Sequence, residues 1–270
     1  AVCQSGTVTD EDEIGAYYAR GAERGRLDVG MGALEFERTQ EILLRALPPA
    51  PTVIADIGGG PGRYASWLAD LGYQVRHRDL MPLHVEQVRA LMNPHIETAR
   101  GDARTLDLDS ESVDAVLLLG PLYHLNDRRD RVRALREAAR VVRKGGPVIA
   151  AVISRWAPRL DGLMILRLYH EIPAFHDIVT DSETTGRLAA AHVGGFSAYT
   201  HRPDDLKAEI ADAGLELIDL VGVEGMPLSA ADAQARQSDP DDWSTVLESA
   251  RALERVPEML GLSPHLIATA

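Results

Sequence analysis

The 270-residue chain has a single cysteine, Cys3, so it can form no internal disulfide, and a reducing compartment is expected. It lacks an apolar stretch of membrane-spanning length, its longest apolar run lying near Val148 to Ile153. The opening Ala1-Val2-Cys3-Gln4-Ser5-Gly6 has none of the charged-then-apolar pattern of a secretory leader. Together these absences lead us to expect a cytoplasmic protein with no membrane partner. Basic charge is also short. Against 41 acidic residues stand 28 Lys and Arg, a net charge of −13, which argues against a nucleic-acid partner, since phosphate contact needs a basic face. The exception is Arg128 to Lys144, where Val132, Leu135, Ala139 and Val142 keep helical spacing; its arginines are expected to form the solvated side of an amphipathic helix. No Cys/His spacing suggests zinc, and no internal repeat is present.

With 45% hydrophobic residues, the chain can bury the core of one α/β domain with additions. Its most informative stretch is Val53-Ile54-Ala55-Asp56-Ile57-Gly58-Gly59-Gly60-Pro61-Gly62. The apolar part reads as a buried parallel strand, and the glycines as a sharp turn into a helix. Glycine is needed where backbone passes close under a ligand. Gly60-Pro61-Gly62-Arg63-Tyr64-Ala65 fits the G-x-G-x-x-A form of the dinucleotide fingerprint, so a nicotinamide cofactor is one candidate. A pyrophosphate, however, wants free N–H groups and no anion nearby. Asp56 stands at the strand end and Pro61 removes a donor. A cationic ligand suits that carboxylate better.

The same residues fit D-x-G-x-G-x-G through Asp56, Gly58, Gly60 and Gly62, and in this the segment resembles motif I of the class I S-adenosylmethionine-dependent methyltransferases. Further motifs follow in order. Asp79 ends a second strand less than about 20 residues past the glycines, where a carboxylate can accept both ribose hydroxyls. Its setting, Asp79-Leu80-Met81-Pro82, resembles the family's acid-apolar-x-Pro. Gly101-Asp102-Ala103 resembles the adenine-binding turn after the third strand, and Ser112 to Leu125 resembles motif IV, with Gly120, Tyr123 and His124 after strand four. The resemblance is specific over Val53 to Ser154 and rests on architecture elsewhere. It implies S-adenosyl-L-methionine as cofactor, held by Asp56, Gly58, Gly60, Gly62, Asp79, Leu80, Asp102, Ala103 and Gly120, with Tyr17 and Tyr18 closing over the methionine end.

The resemblance also implies an α/β, Rossmann-like, seven-stranded, mostly parallel sheet in the order 3-2-1-4-5-7-6. We expect a helical N-terminal cap over 1–50, with an acidic Thr9 to Glu13 capping a helix that carries Tyr17 and Tyr18, and a second helix over Leu34 to Leu47. The cofactor-binding core spans 51–154. A helical lid over 155–202 includes helices near Leu160 to Leu168 and over Ser182 to His192. The sheet is completed over 203–270, with a helix from Pro203, strand six over Leu215 to Val223, a helix capped at Asp239-Pro240, and strand seven over His265 to Thr269.

His124 is the first candidate for a catalytic base and Tyr123 for a neighbouring contact, where the methyl group would emerge. His170, His176, His192 and His201, with the apolar Trp156, Leu160, Met164, Tyr169, Phe175, Phe196 and Tyr199, either line an acceptor pocket or pack as lid core. Gly120-Pro121-Leu122-Tyr123 departs from the Asn/Asp-Pro-Pro-Tyr motif of enzymes that methylate adenine or glutamine nitrogen. Only Asp127 follows strand four closely, beside arginines, so no metal is expected. The expected activity is transfer of a methyl group to oxygen or nitrogen of a small-molecule acceptor. An NAD(P)-dependent oxidoreductase and a non-catalytic S-adenosylmethionine-binding module are the alternatives.

Overall fold

The computed structural model describes residues 15–18, 25–165, 168–190 and 197–270. The acidic cap at Thr9 to Glu13, along with Cys3, Arg167, His192 and Phe196, lies outside the described residues. Residues 15–18 form a helical turn, and α1 (Gly30–Ala46) ends where Pro48 and Pro49 forbid further turns.

Five parallel strands follow: β1 (Val53–Ile57), β2 (Gln74–Asp79), β3 (Ile96–Arg100), β4 (Ala115–Leu118) and β5 (Val148–Ser154). They lie in the order β3-β2-β1-β4-β5. Helices cover both faces, so β4 is buried at every position and reads as one apolar run. The crossovers are α2 (Arg63–Asp70), α3 (Pro82–Ala90), the short α4 (Pro121–His124) and α5 (Arg128–Val141). Proline opens α3 and α4, where its missing N–H costs nothing. Asp127 caps α5 by accepting from the Arg129 N–H at 2.8 Å.

After β5 the chain departs from a purely helical lid. Short turns lead to α6 (Phe175–Thr185), which Gly186 stops in the left-handed region at φ 86°. This helix precedes the expected span of Ser182 to His192. A hairpin follows, β6 (Arg187–Leu188) against β7 (Ala198–His201). β4 pairs with β5 only as far as Ala150, and β7 takes up the remaining length in parallel at Ile153 and Ser154. Two-residue β6 is too short to leave a periodic signal. α7 (Pro203–Asp212) then leads to β8 (Asp219–Gly222). α8 (Ala230–Gln237), which the sequence reading missed, and α9 (Pro240–Leu253) precede β9 (His265–Thr269). β9 runs antiparallel between β5 and β8. With β8 as sixth strand and β9 as seventh, the expected 3-2-1-4-5-7-6 order holds.

One charged residue contradicts its expected place. Arg131 on α5 is buried, not solvated: its guanidinium binds Glu209 of α7 through Nε at 3.0 Å and Nη2 at 2.7 Å, and stacks 3.6 Å above the Tyr199 ring. Among the described residues no helix is long and apolar enough to cross a membrane.

Candidate active site

The carboxyl ends of β1, β2 and β4 border a cavity of about 680 Å³, a size suited to a nucleotide-like ligand. Its floor is the glycine turn. Gly58 has a left-handed φ of 68°, and a Cβ there would stand 2.8 Å from Pro121 Cδ, so the turn fits against α4 only without a side chain. A Cβ on Gly60 would meet nothing within 4 Å, which leaves bare backbone facing open space.

Asp56 sits elsewhere than expected. The pleat of β1 directs its side chain beneath the turn, where a Cβ on Gly59 would come within 2.3 Å of Oδ2, and it does not reach the cavity wall. Both its oxygens are buried without a hydrogen bond among the described residues. Burial, reinforced by the charge of Asp79, pushes this carboxyl up to about 7. The direct carboxylate-to-cation contact expected from the sequence is therefore not what Asp56 offers.

Asp79 at the end of β2 is tied on three sides. Its Oδ2 accepts from the Gly60 N–H at 2.8 Å; its Oδ1 accepts from the Met81 N–H at 2.8 Å and lies 3.0 Å from His84 Nδ1. Burial opposes its charge, but His84 and the two amides win and hold it below the usual carboxylate range. His77, beneath, joins Thr98 Oγ1 at 2.9 Å to the Gly60 carbonyl at 3.0 Å. At the far end, Asp102 is gripped by Arg104, with Nη2 donating to Oδ2 at 2.6 Å and the backbone N–H to Oδ1 at 2.8 Å.

The opposite end is aromatic. His124 Nε2 lies 2.7 Å from the Tyr18 hydroxyl, and Tyr18 also meets His84 edge-on at 4.9 Å between centroids. Tyr123 stands against His124 at 4.6 Å. Burial lowers His124 to about 4, so its imidazole is neutral at pH 7. The loop behind is pinned by Arg131, whose Nη1 donates to the carbonyls of Leu125 at 2.7 Å and Asn126 at 3.1 Å.

Residues 55–150 match the family described as a methyltransferase domain. Over that segment the chain carries a methyltransferase domain. An uncharacterized methyltransferase of Mycobacterium tuberculosis is 32% identical over 133 residues, covering 49% of this chain and 47% of the relative. The chain thus spans about half the length of the curated relatives it matches first. Among solved structures, a Burkholderia thailandensis 1,6-didemethyltoxoflavin-N1-methyltransferase superposes with a TM-score of 0.59 at 16% identity, over 97% of this chain and 86% of that one. A Methanosarcina mazei S-adenosylmethionine-dependent methyltransferase gives 0.54 at 22% identity, over 67% and 87%. At such identities the likeness is one of fold.

Around this cavity the structure gathers Tyr18, Gly58, Gly60, Gly62, Asp79, Leu80, Asp102, Ala103, Gly120, Tyr123 and His124. Tyr17 is outside this set and packs on Tyr18 at 5.1 Å. None of the described residues of 155–202 lines the cavity. Phe175 packs on Gly162 and Tyr169, and His201 is buried against Glu209 at 3.2 Å. Sequence reasoning missed Arg26, His84 and Arg104, which also line it. His84 and Arg104 carried a local signal, each standing just after a recognised acid; Arg26 carried none.

Proposed function

We propose that this protein transfers a methyl group from S-adenosylmethionine to an oxygen or nitrogen of a small-molecule acceptor, without a metal ion. The observation that carries the reading is the bare Gly60 backbone facing a cavity with Asp79 and Asp102 on its rim. The cofactor supplies a methyl carbon already activated by its sulfonium. Asp79, fixed in its ionised form, accepts the ribose hydroxyls. Asp102 and the backbone at Ala103 take the adenine, and the Gly58 to Gly62 turn takes the methionine end. Tyr18 and Tyr123 screen the reacting end from water.

His124, with its pKa near 4, cannot strip a weakly acidic acceptor before attack: against an O–H of pKa near 10 that step would be uphill by about 8 kcal/mol. It acts as a neutral hydrogen-bond acceptor. It orients the nucleophile's X–H and takes the proton once the new bond has made it acidic. Tyr18, on the same nitrogen, must turn aside or share it.

The first test is equilibrium binding. Calorimetry is expected to show S-adenosylhomocysteine binding and no measurable NADH binding; the reverse pattern would mark an oxidoreductase. Release of S-adenosylhomocysteine in the presence of an acceptor library separates an enzyme from a module that only binds the cofactor.

A further inference from the structure

Tyr18 occupies the aromatic end of the cavity much as a ligand would. Its ring stands edge-on to His84, with 4.9 Å between centroids and 74° between planes, and edge-on to His124 at 5.6 Å and 76°. Its hydroxyl lies 2.7 Å from His124 Nε2, a hydrogen-bond distance. On the tautomer protonated at Nδ1, that hydroxyl donates to the nitrogen. The turn that carries it comes close to Met81: a Cβ on Gly15 would stand 3.6 Å from Met81 Cε. Tyr18, Met81, His84, Tyr123 and His124 all border the cavity, so this ring belongs to the site and not to the core behind it.

The seat that Tyr18 fills has a chemistry of its own. Two imidazoles flank the occupant at edge-to-face spacing, which fits a flat aromatic ring and gives a puckered aliphatic ring no such contact. An imidazole nitrogen ends the seat and takes a hydrogen bond, so an occupant without a donor at that point would leave the nitrogen unpaired. An anionic occupant would meet the charge of Asp79, which reaches His124. Aromatic ring, hydroxyl donor and no negative charge together describe a phenol.

We propose that Tyr18 holds the place of the methyl acceptor, and that the acceptor is a phenol that displaces the Tyr18 side chain and gives its own hydroxyl to His124. The inference rests on the methyl-transfer reading and adds the substrate class. The phenol oxygen forms the new C–O bond as the carbon–sulfur bond breaks, and sulfur keeps the bonding pair. The hydroxyl proton passes to His124 Nε2 and from there to water. Tyr18 is then a competitor of the acceptor carried by the chain itself, and its removal should open the seat.

The test titrates 4-ethylphenol, its methyl ether 4-ethylanisole and the non-aromatic 4-ethylcyclohexanol into the protein saturated with S-adenosylhomocysteine. The phenol is expected to bind at least about fivefold tighter than either, the worth of one hydrogen bond or of one set of ring contacts. Tyr18→Ala empties the seat, and the phenol is expected to gain at least about fivefold in affinity, since no hydrogen bond to His124 must first be broken. Adding His124→Leu to that variant is expected to bring phenol and ether level. Should Tyr18→Ala fold poorly, Tyr18→Ser is read the same way. Equal binding of the three ligands, or a preference for the ether or the cyclohexanol, overturns the proposal. So does phenol binding that fails to improve in both Tyr18 variants, which would make Tyr18 a wall of the site and not its occupant. Failure of the unmodified protein to bind S-adenosylhomocysteine counts instead against the methyl-transfer reading, and the three ligands are then compared on the protein alone.

Discussion

In the proposed reaction Asp79 does two jobs that pull against each other. It must stay ionised to accept ribose hydroxyls, yet it is nearly fully buried at the end of β2. The Gly60 and Met81 amides and His84 resolve the conflict, each giving it a hydrogen bond that water would otherwise supply. Asp79→Ala removes the proposed ribose acceptor and releases the turn at Gly60 together. Affinity for S-adenosylhomocysteine is expected to fall at least tenfold, about 1.4 kcal/mol or more, with the fold retained by circular dichroism. Unchanged affinity in calorimetry would take Asp79 out of the site. His124→Ala tests the other end. Turnover should drop while cofactor affinity holds, and the wild-type rate should be flat from pH 6 to 8, because an imidazole near 4 does not titrate there. A wild-type rate in the variant would dismiss the residue.

Between α5 and α7 the decisive feature is the buried Arg131–Glu209 pair. Both side chains are about 1% exposed, so neither can be left without the other. Glu209→Ala is expected to cost about 3–5 kcal/mol in urea unfolding, whereas replacing both by apolar residues of like size should cost far less. A loss within 1 kcal/mol would show that water reaches the pair. This same pair marks the limit of what helical periodicity can reveal. Spacing of Val132 and Leu135 located α5 correctly, but periodicity counts every arginine as solvent-facing. It cannot see a carboxylate arriving from 78 residues away. The strand-turn-helix motifs were legible for the opposite reason. The β1 turn, Asp79, Asp102 and the loop after β4 are set by short-range rules of glycine, proline and acid at strand ends. Asp56 shows where even a local rule stops: the motif places it beside the turn, but only the pleat decides whether it points up or under. Glu35, Glu224 and His265, whose polar atoms lie within 4.8 Å of one another, come from three separate parts of the chain, and no local pattern joins them.

Among the described residues, many arginines meet acids at the surface, where each pair contributes little. The net charge of −13 therefore says more about repulsion between copies than about stability. Stability should turn on the buried titratable groups, and their windows differ. Asp56 and Asp161 are raised to about 7, so the fold favours their protonated forms; that contribution is complete below pH 4 and gone above 7. His77, His124 and His201 are lowered, so the fold favours them neutral, and stability from them rises with pH up to about 6.5. These two sets oppose each other below neutrality. Above it one group remains. Burial disfavours the His265 imidazolium, but Glu224 and Glu35 overcome this and raise it from 6.5 to about 9. A base raised on folding stabilises fully below its unfolded pKa and loses that contribution as pH climbs through the folded one. The free energy of unfolding in urea is therefore expected to fall by roughly 2 to 3 kcal/mol between pH 7 and 9. The decline should vanish in His265→Gln, which has nothing to titrate there. A flat profile in the wild-type protein would mean that His265 is neutral in the fold and that Glu224 and Glu35 do not hold its proton.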